Sequence, residues 1–257
     1  MKSEKSVWKR TSLLLLIALA SMFAGLVVWS PLEIDERAHI ERFTRLSVKS
    51  VRADMDADFE GRILAQIRLA RVLGLDESPS HHHWETNASL FISHYPGYVS
   101  LQWVDPTYRV RWTSPEDSEL QEKNGYDLSA DPATRPPLEA ALNHEGPAVL
   151  TPFFRLRNGR LGRRIIVPIR QGEKFLGFVV GIFDVEQALD SMLVDHAEVG
   201  YGVSVSEAGQ EFYRMRGTSR DNDRRWGQET DLQLAGVTWR IRVWPQPELV
   251  SEIRSRL

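Results

Sequence analysis

Three consecutive histidines, His81-His82-His83, with Glu85 and His94 close behind, are the residues of this chain best suited by type to hold a transition metal. Zinc takes imidazole and carboxylate ligands, but it takes them at tetrahedral positions. Adjacent side chains of an extended segment point to opposite sides. The run also stands among Ser and Pro after a helix stop, so it reads as a solvated loop, and no metal is expected. Glu116, Asp117 and Glu119 gather carboxylates after Pro115. A glycosidase pair needs two carboxyl groups held at a fixed separation on rigid elements, which a loop does not offer. These acids read as surface charge. Trp103, Arg109, Arg111 and Trp112 have the aromatic and basic character of a platform for single-stranded nucleic acid. In a chain of net charge -3, with 32 Lys and Arg against 35 Asp and Glu, they fit strand packing with an arginine or two lining a pocket. Nucleic acid is not an expected partner. The sequon Asn87-Ala88-Ser89 falls on a helical segment and matters only in a eukaryotic secretory pathway.

Signatures of catalysis are absent. The chain has no Gly-x-x-x-x-Gly-Lys-[Ser/Thr], no strand-borne Gly-x-Gly-x-x-Gly, no Gly-x-Ser-x-Gly and no His-Glu-x-x-His. A cysteine count of 0 removes disulfides, zinc thiolates and thiol catalysis together. We therefore expect no catalytic residues and no cofactor, and a hydrolase is disfavoured for lack of a nucleophile with its base. Binding is the chemistry left to explain.

The elements that must position a binding site follow from periodicity. From Glu33 to Leu75 apolar residues recur at Ile40, Phe43, Val51, Met55, Phe59, Ile63, Ile67 and Ala70, with a gap at Ser47. Spacings of three and four predict a helix with one apolar stripe. Some 40 residues would reach roughly 60 Å, which suits a stalk. Its upper half should pack on its own sheet, and its lower half has nothing obvious to pack on except a second copy, so a homodimer through the stalk is expected. Trp84 to His94 reads as a short helix. Tyr98 to Val104 and Arg109 to Trp112 alternate around the turn Asp105-Pro106-Thr107-Tyr108, a hairpin. Pro136 to Asn143 is helical, Arg163 to Ile169 and Phe175 to Phe183 form a second hairpin, and Glu186 to Leu193 is a helix. Val203 to Val205, Glu211 to Met215, Thr230 to Leu234 and Val237 to Trp244 repeat the strand grammar. Gly217 to Arg225 reads as an exposed loop by composition, and Pro247 to Leu257 starts a helix. Helices leading into antiparallel strands make this an α+β chain.

Residues Leu13 to Trp29 form one apolar run preceded by Lys2, Lys5, Lys9 and Arg10 and followed by Glu33, Asp35 and Glu36. Roughly 17 to 20 apolar residues cross about 30 Å of hydrocarbon, and the basic flank keeps the N-terminus in the cytoplasm. Cleavage after Ala18-Leu19-Ala20 would leave Met22 to Trp29 as an exposed apolar tail, so a permanent anchor is the better reading. The expected layout is a cytoplasmic N-terminus at 1–10, a transmembrane anchor at 11–31 and a stalk helix at 32–76. A membrane-distal lobe at 77–195, a smaller membrane-proximal lobe at 196–247 and the start of an exit helix at 248–257 follow it.

The middle of the chain resembles the CHASE domain, the extracellular sensory module of histidine kinases and diguanylate cyclases. The residues that carry the resemblance are Trp103-Val104-Asp105-Pro106 with Arg109-Val110-Arg111-Trp112, then Gly125-Tyr126-Asp127-Leu128 with Asp131-Pro132 and Arg135, and Leu138-Glu139-Ala140-Ala141. Val149-Leu150-Thr151-Pro152-Phe153, Gly162, Val167-Pro168-Ile169 and Leu176-Gly177-Phe178-Val179-Val180-Gly181 continue it in order. The resemblance implies two PAS-like lobes with antiparallel sheets and a small ligand in the distal one. By it, Asp127 anchors the ligand and Leu150 lines the pocket. The threonine that cytokinin receptors use on the next strand falls on Ile166, a departure that removes a hydrogen-bond donor and argues against cytokinin. By its residue type alone Asp127, after Gly-Tyr, is equally good as a turn or cap residue. Trp103, Arg111, Phe153 and Arg164 are further pocket candidates.

The expected function is that of an anchored periplasmic or extracellular sensor at the inner membrane, binding a small molecule as the input of a two-component or diguanylate cyclase system. The alternative is a tethered solute-binding or scaffold protein without signalling output. No kinase, cyclase or receiver motif lies in these 257 residues.

Overall fold

Two antiparallel sheets share one helix. The computed structural model describes residues 4–75, 80–116, 124–143 and 146–255, with 4–35 described by backbone alone. Helix α1, Glu4–Leu75, runs 72 residues, roughly 110 Å at the helical rise. The apolar run Leu13 to Trp29 lies outside the residues whose side chains are described, as do the acids Asp117 and Glu119. Among the described residues no helix is long and apolar enough to cross a membrane.

After α1 come α2 (His81–His94), β1 (Tyr98–Val104) and β2 (Val110–Ser114), a single 3-10 turn at Leu128–Ala130, and α3 (Arg135–Asn143). Strands β3 (Val149–Leu150), β4 (Phe154–Arg155), β5 (Leu161–Gln171) and β6 (Lys174–Asp184) complete the first sheet, in the order β2-β1-β6-β5-β3 with β4 also paired to β5. Helices α4 (Val185–Met192) and α5 (Val194–Glu198) lead to the second sheet, built from β7 (Tyr201–Glu207), β8 (Gln210–Arg214), β9 (Gln228–Leu234) and β10 (Val237–Pro245) in the order β8-β7-β10-β9. Helix α6 (Arg220–Trp226) lies between β8 and β9, and α7 (Pro247–Ser255) follows β10. The architecture is α+β with two antiparallel sheets.

Both sheets turn one face to α1. Val51, Met55 and Phe59 of the helix are buried together with Phe183, Val203, Val205, Trp239 and Ile241. Phe59 meets Phe183 of the first sheet and Trp239 of the second, both edge-on, at centroid distances of 6.1 and 5.2 Å, a favoured aromatic arrangement.

Three local expectations are corrected. The lower stalk does not lack a partner within its own chain: Ile40 is buried against Trp226 and Val250, with Ile253 beside them. Helices α6 and α7 return to the stalk, a tertiary placement that periodicity does not show. Phe43 of the stripe is exposed instead. Second, residues 220–226 are helical within the presumed loop, because Ser219 caps the segment by accepting from Asn222 N at 3.3 Å, with Asp221 and Asp223 in the first turn and Arg224 and Arg225 in the last. Third, His81-His82-His83 form the first turn of α2 rather than a loop, since Ser80 caps that helix by accepting from His83 N at 3.2 Å.

Candidate functional site

Alternation along β1 sends Ser100, Gln102 and Val104 to the face turned away from α1. Their partners on β6 are Ile182, Val180 and Phe178, and β5 continues the rows with Arg164 opposite Ile182 and Ile166 opposite Val180. On the other edge Thr113 of β2 stands opposite Gln102. Leu128 of the 3-10 turn and Leu138 and Ala141 of α3 cover this face, packing with Val104, Val110, Val149, Ile166, Phe178 and Val180. Both faces of the sheet are thus buried, and the polar side chains on the outer one lie in apolar surroundings.

Gln102 is 0% exposed, and among the described residues neither its Oε1 nor its Nε2 has a hydrogen-bond partner; the Thr113 hydroxyl beside it is also buried and unpartnered among them. Burying such groups without partners costs about 1–3 kcal/mol each. Farther along, Arg164 stacks over the Phe154 ring at 3.8 Å and donates from Nη1 to Thr134 Oγ1 at 3.3 Å. Thr134 in turn donates to Asp131 Oδ2 at 2.5 Å. That hydroxyl holds the Asp131 carboxyl below its ordinary value against the effect of desolvation, with the Ala133 amide and the Arg164 charge adding to it.

The six candidates named from sequence occupy different places. Arg164 is on the outer face just described. Asp127 caps the 3-10 turn, accepting from Ser129 N at 2.9 Å and Ser129 Oγ at 2.7 Å, and the Ser129 hydroxyl lowers its pKa. Its backbone bridges to Arg109. Leu150 pairs with Ile165 on β5 and belongs to the inner core. Phe153 lies between the lobes, 4.7 Å from Phe212 and 4.4 Å under the Arg163 guanidinium. Trp103 packs on the inner side, 4.5 Å from Trp112. Arg111 is exposed, donating from Nε to Asp105 Oδ2 at 3.0 Å. Ile166, where the resemblance expects a threonine, is fully buried on the outer face. The residues missed were Gln102 and Thr113. Their signal was present as polar residues at strand positions, but alternation in a strand is ordinarily read as a solvated face. Among the described residues no three His, Asp or Glu side chains gather to hold a metal.

The reverse side of the same strands carries the stalk. Gln66 of α1 is buried and donates from Nε2 to Ile165 O at 2.8 Å and Val179 O at 2.9 Å, one carbonyl from β5 and one from β6. Gly181 makes the approach possible: a Cβ there would stand 2.5 Å from Gln66 Oε1. One turn earlier Arg62 pairs with Asp58, donates to Pro96 O at 2.9 Å and lies over the Tyr95 and Tyr98 rings. Burial pushes the Tyr98 hydroxyl up, so it stays protonated.

Between the lobes, Arg163 donates to both Glu207 oxygens, at 2.5 and 3.2 Å, and to Thr151 O at 2.6 Å. Trp239 Nε1 donates to the same carboxylate at 2.7 Å. Burial lowers the Arg163 pKa and the Glu207 contact opposes it. In the second lobe, the face turned away from α1 holds Asp223 between Arg214, which donates from Nη1 at 2.9 Å, and Arg242, bonded to the other carboxylate oxygen. The Arg242 guanidinium also reaches Glu229 Oε1 at 2.6 Å.

No family model matches the chain and no curated protein matches it. Among solved structures it is similar to the ligand-binding domain of the Pseudomonas fluorescens chemoreceptor CtaA in complex with L-valine, at TM-score 0.61 and 16% identity over 82% of this chain and 99% of that one. It is similar to the ligand-binding domain of the Pseudomonas aeruginosa amino acid chemoreceptor PctC in complex with GABA, at TM-score 0.57 and 17% identity over 79% of this chain and 98% of that one. An extracellular ligand binding receptor from Desulfohalobium retbaense gives TM-score 0.59 and 14% identity over 78% of this chain, which spans 39% of that receptor. At these identities the likeness is one of fold: α+β, with two antiparallel sheets, as in PAS-like ligand-binding domains.

Proposed function

We propose that this chain is an extracytoplasmic small-molecule sensor, anchored by Leu13 to Trp29, that seats its ligand on the outer face of the six-stranded sheet. One observation carries the reading: the six-stranded sheet presents Gln102 of β1 and Thr113 of β2 on its outer face, and its central strands β5 and β6 bind the stalk through Gln66 on the other. A ligand shifts a conformational equilibrium by its differential affinity for two states. A sheet touched from both sides, with β1 paired directly to β6, is where such a difference reaches the helix. The lobe at 77–195 is the sensing one and the lobe at 196–247 a support. The CHASE-like order of motifs favours a histidine kinase or diguanylate cyclase as the output. Phe43, Leu46, Leu64, Val72 and Leu75 remain exposed on α1, which supports a homodimer along the stalk.

Similar domains were solved with L-valine and with GABA, so the first test is a thermal-shift screen of the purified full chain in detergent. The panel holds L-amino acids, GABA and a general metabolite set. A ligand at a hundredfold excess over its Kd stabilises by about 2.7 kcal/mol, a shift of several degrees. A panel without effect, on protein with a cooperative melt, would leave the sensor reading without support.

A further inference from the structure

We infer that the ligand of the outer face carries a neutral amide-type edge, a carboxamide or lactam, on a small apolar body. The inference rests on the reading of that face as a ligand site, and it starts from Gln102 and Thr113. Few polar side chains of a native protein are buried without a partner. Here two stand opposite each other on adjacent strands. A bond between the two would not satisfy them, because a carboxamide has two donors and two acceptor lone pairs while a hydroxyl engages one end of it.

The carboxamide of Gln102 offers an acceptor and a donor side by side, so its complement must offer a donor and an acceptor side by side. A primary amide or a lactam does so in one plane. Exchanging Oε1 and Nε2 leaves the requirement unchanged, so the inference is independent of how the amide is oriented. A carboxylate would serve Nε2 and set its charge against Oε1. An ammonium would serve Oε1 and leave Nε2 without an acceptor. Both ions would also give up water among Val104, Val110, Ile166, Phe178 and Val180, where charge is costly. Arg164, the fixed charge of this face, stands two strands over and two residues along from Gln102, roughly 12 Å at normal strand spacing and rise. Phe154 and Thr134 already hold it. The Thr113 hydroxyl supplies one further bond, to the second lone pair of the ligand carbonyl.

Benzamide, benzoate and benzylammonium match one another in size and differ in this edge, and they are the probes. Their dissociation constants for the full chain in detergent, measured by calorimetry or ligand-observed NMR, should place benzamide at least tenfold tighter than either ion. Gln102→Leu keeps the volume and should weaken benzamide at least tenfold. Gln102→Glu turns a donor–acceptor edge into two acceptors, and should move the preference to benzamidinium. Equal affinity for the three probes, an unchanged benzamide constant in Gln102→Leu, or no benzamide binding would each overturn the inference. If benzamide fails while a compound of the amino-acid and metabolite panel raises the melting temperature, the sensor reading stands and the amide edge falls. If nothing binds, both fall.

Discussion

In the six-stranded sheet, the face turned away from α1 buries a carboxamide and a hydroxyl without partners among the described residues. In the four-stranded sheet, the corresponding face buries Asp223 between two arginines that satisfy it. Register makes the contrast concrete. Across the second sheet Glu229, Arg242, Ser204 and Arg214 stand in one row, and Arg214 also lies over the Trp244 ring at 4.8 Å. Across the first, Thr113, Gln102, Val180, Ile166 and Val149 stand in one row. The row of charges is closed by its own chain, and the polar end of the other row is not. The contrast is one between these two rows and not between whole lobes, since Trp244 Nε1 and Gln246 Nε2 of the second lobe are also buried without a partner among the described residues.

Substitutions should break this contrast with opposite signs. Asp223→Ala leaves two partly buried guanidinium groups without their carboxylate, and should cost about 3 kcal/mol of unfolding free energy in urea titrations, somewhat less than a fully buried pair because water reaches both arginines. Gln66→Leu removes two hydrogen bonds between the stalk and the first sheet, and should cost about 2 kcal/mol. Hydrogen exchange should then rise in β5 and β6 and stay unchanged in β9 and β10. Gln102→Leu, in the absence of ligand, should stabilise the protein by about 1 kcal/mol, since it removes unsatisfied polar atoms at nearly constant volume. A loss of stability there would mean that Gln102 is satisfied, and the contrast would vanish.

The smallest effect is on the acid limb. The Asp131 carboxyl is held below its ordinary value. Its contribution to stability is thus present above the unfolded value near 4 and lost as pH falls through the folded one. Thr134→Val removes the hydroxyl that lowers it, so that contribution should fade at a higher pH. Circular dichroism during acid titration, compared with stability at neutral pH, should show the midpoint of acid unfolding moved up.

Much of the fold was legible because strands with one consistent alternation and glycine-bearing turns carry their own boundaries. The four strands of the second lobe are of this kind, whereas the hairpin β5–β6 shows as two apolar runs rich in Val, Ile and Phe around Gly172. Helix α6 was not, since Gly217 to Arg225 has the composition of a solvated loop and its capping by Ser219 is outweighed by charge. Whether Asp223 and Ile40 are buried depends on what folds back over them, and one strand or helix does not show that. The site was less legible than the fold. Arg164 was named as a pocket candidate and lies on the outer face. Gln102 was not, because period-two alternation says which residues share a face and leaves open whether both faces are covered. Asp127 shows the opposite case: Gly125-Tyr126-Asp127 allowed a turn or a cap, the structure makes it a cap, and the resemblance gave it a second role that the cap does not require.

The shared helix also sets an order of events during synthesis. Arg52 bonds to Asp231 O and Arg254 to Glu36, partners 179 and 218 residues apart in sequence. At 5–20 residues per second roughly 10 to 35 s separate the appearance of Arg52 from that of Asp231. For most of that interval, until Phe183 has been made, Phe59 stands uncovered on a formed or forming helix, and Ile40 waits longer still, for Trp226 and Val250. Distant contacts of this kind slow folding because the chain between them must be closed first. The element that appears first is the last to be covered, which makes α1 the segment of the nascent chain most in need of protection by a chaperone or by the membrane surface.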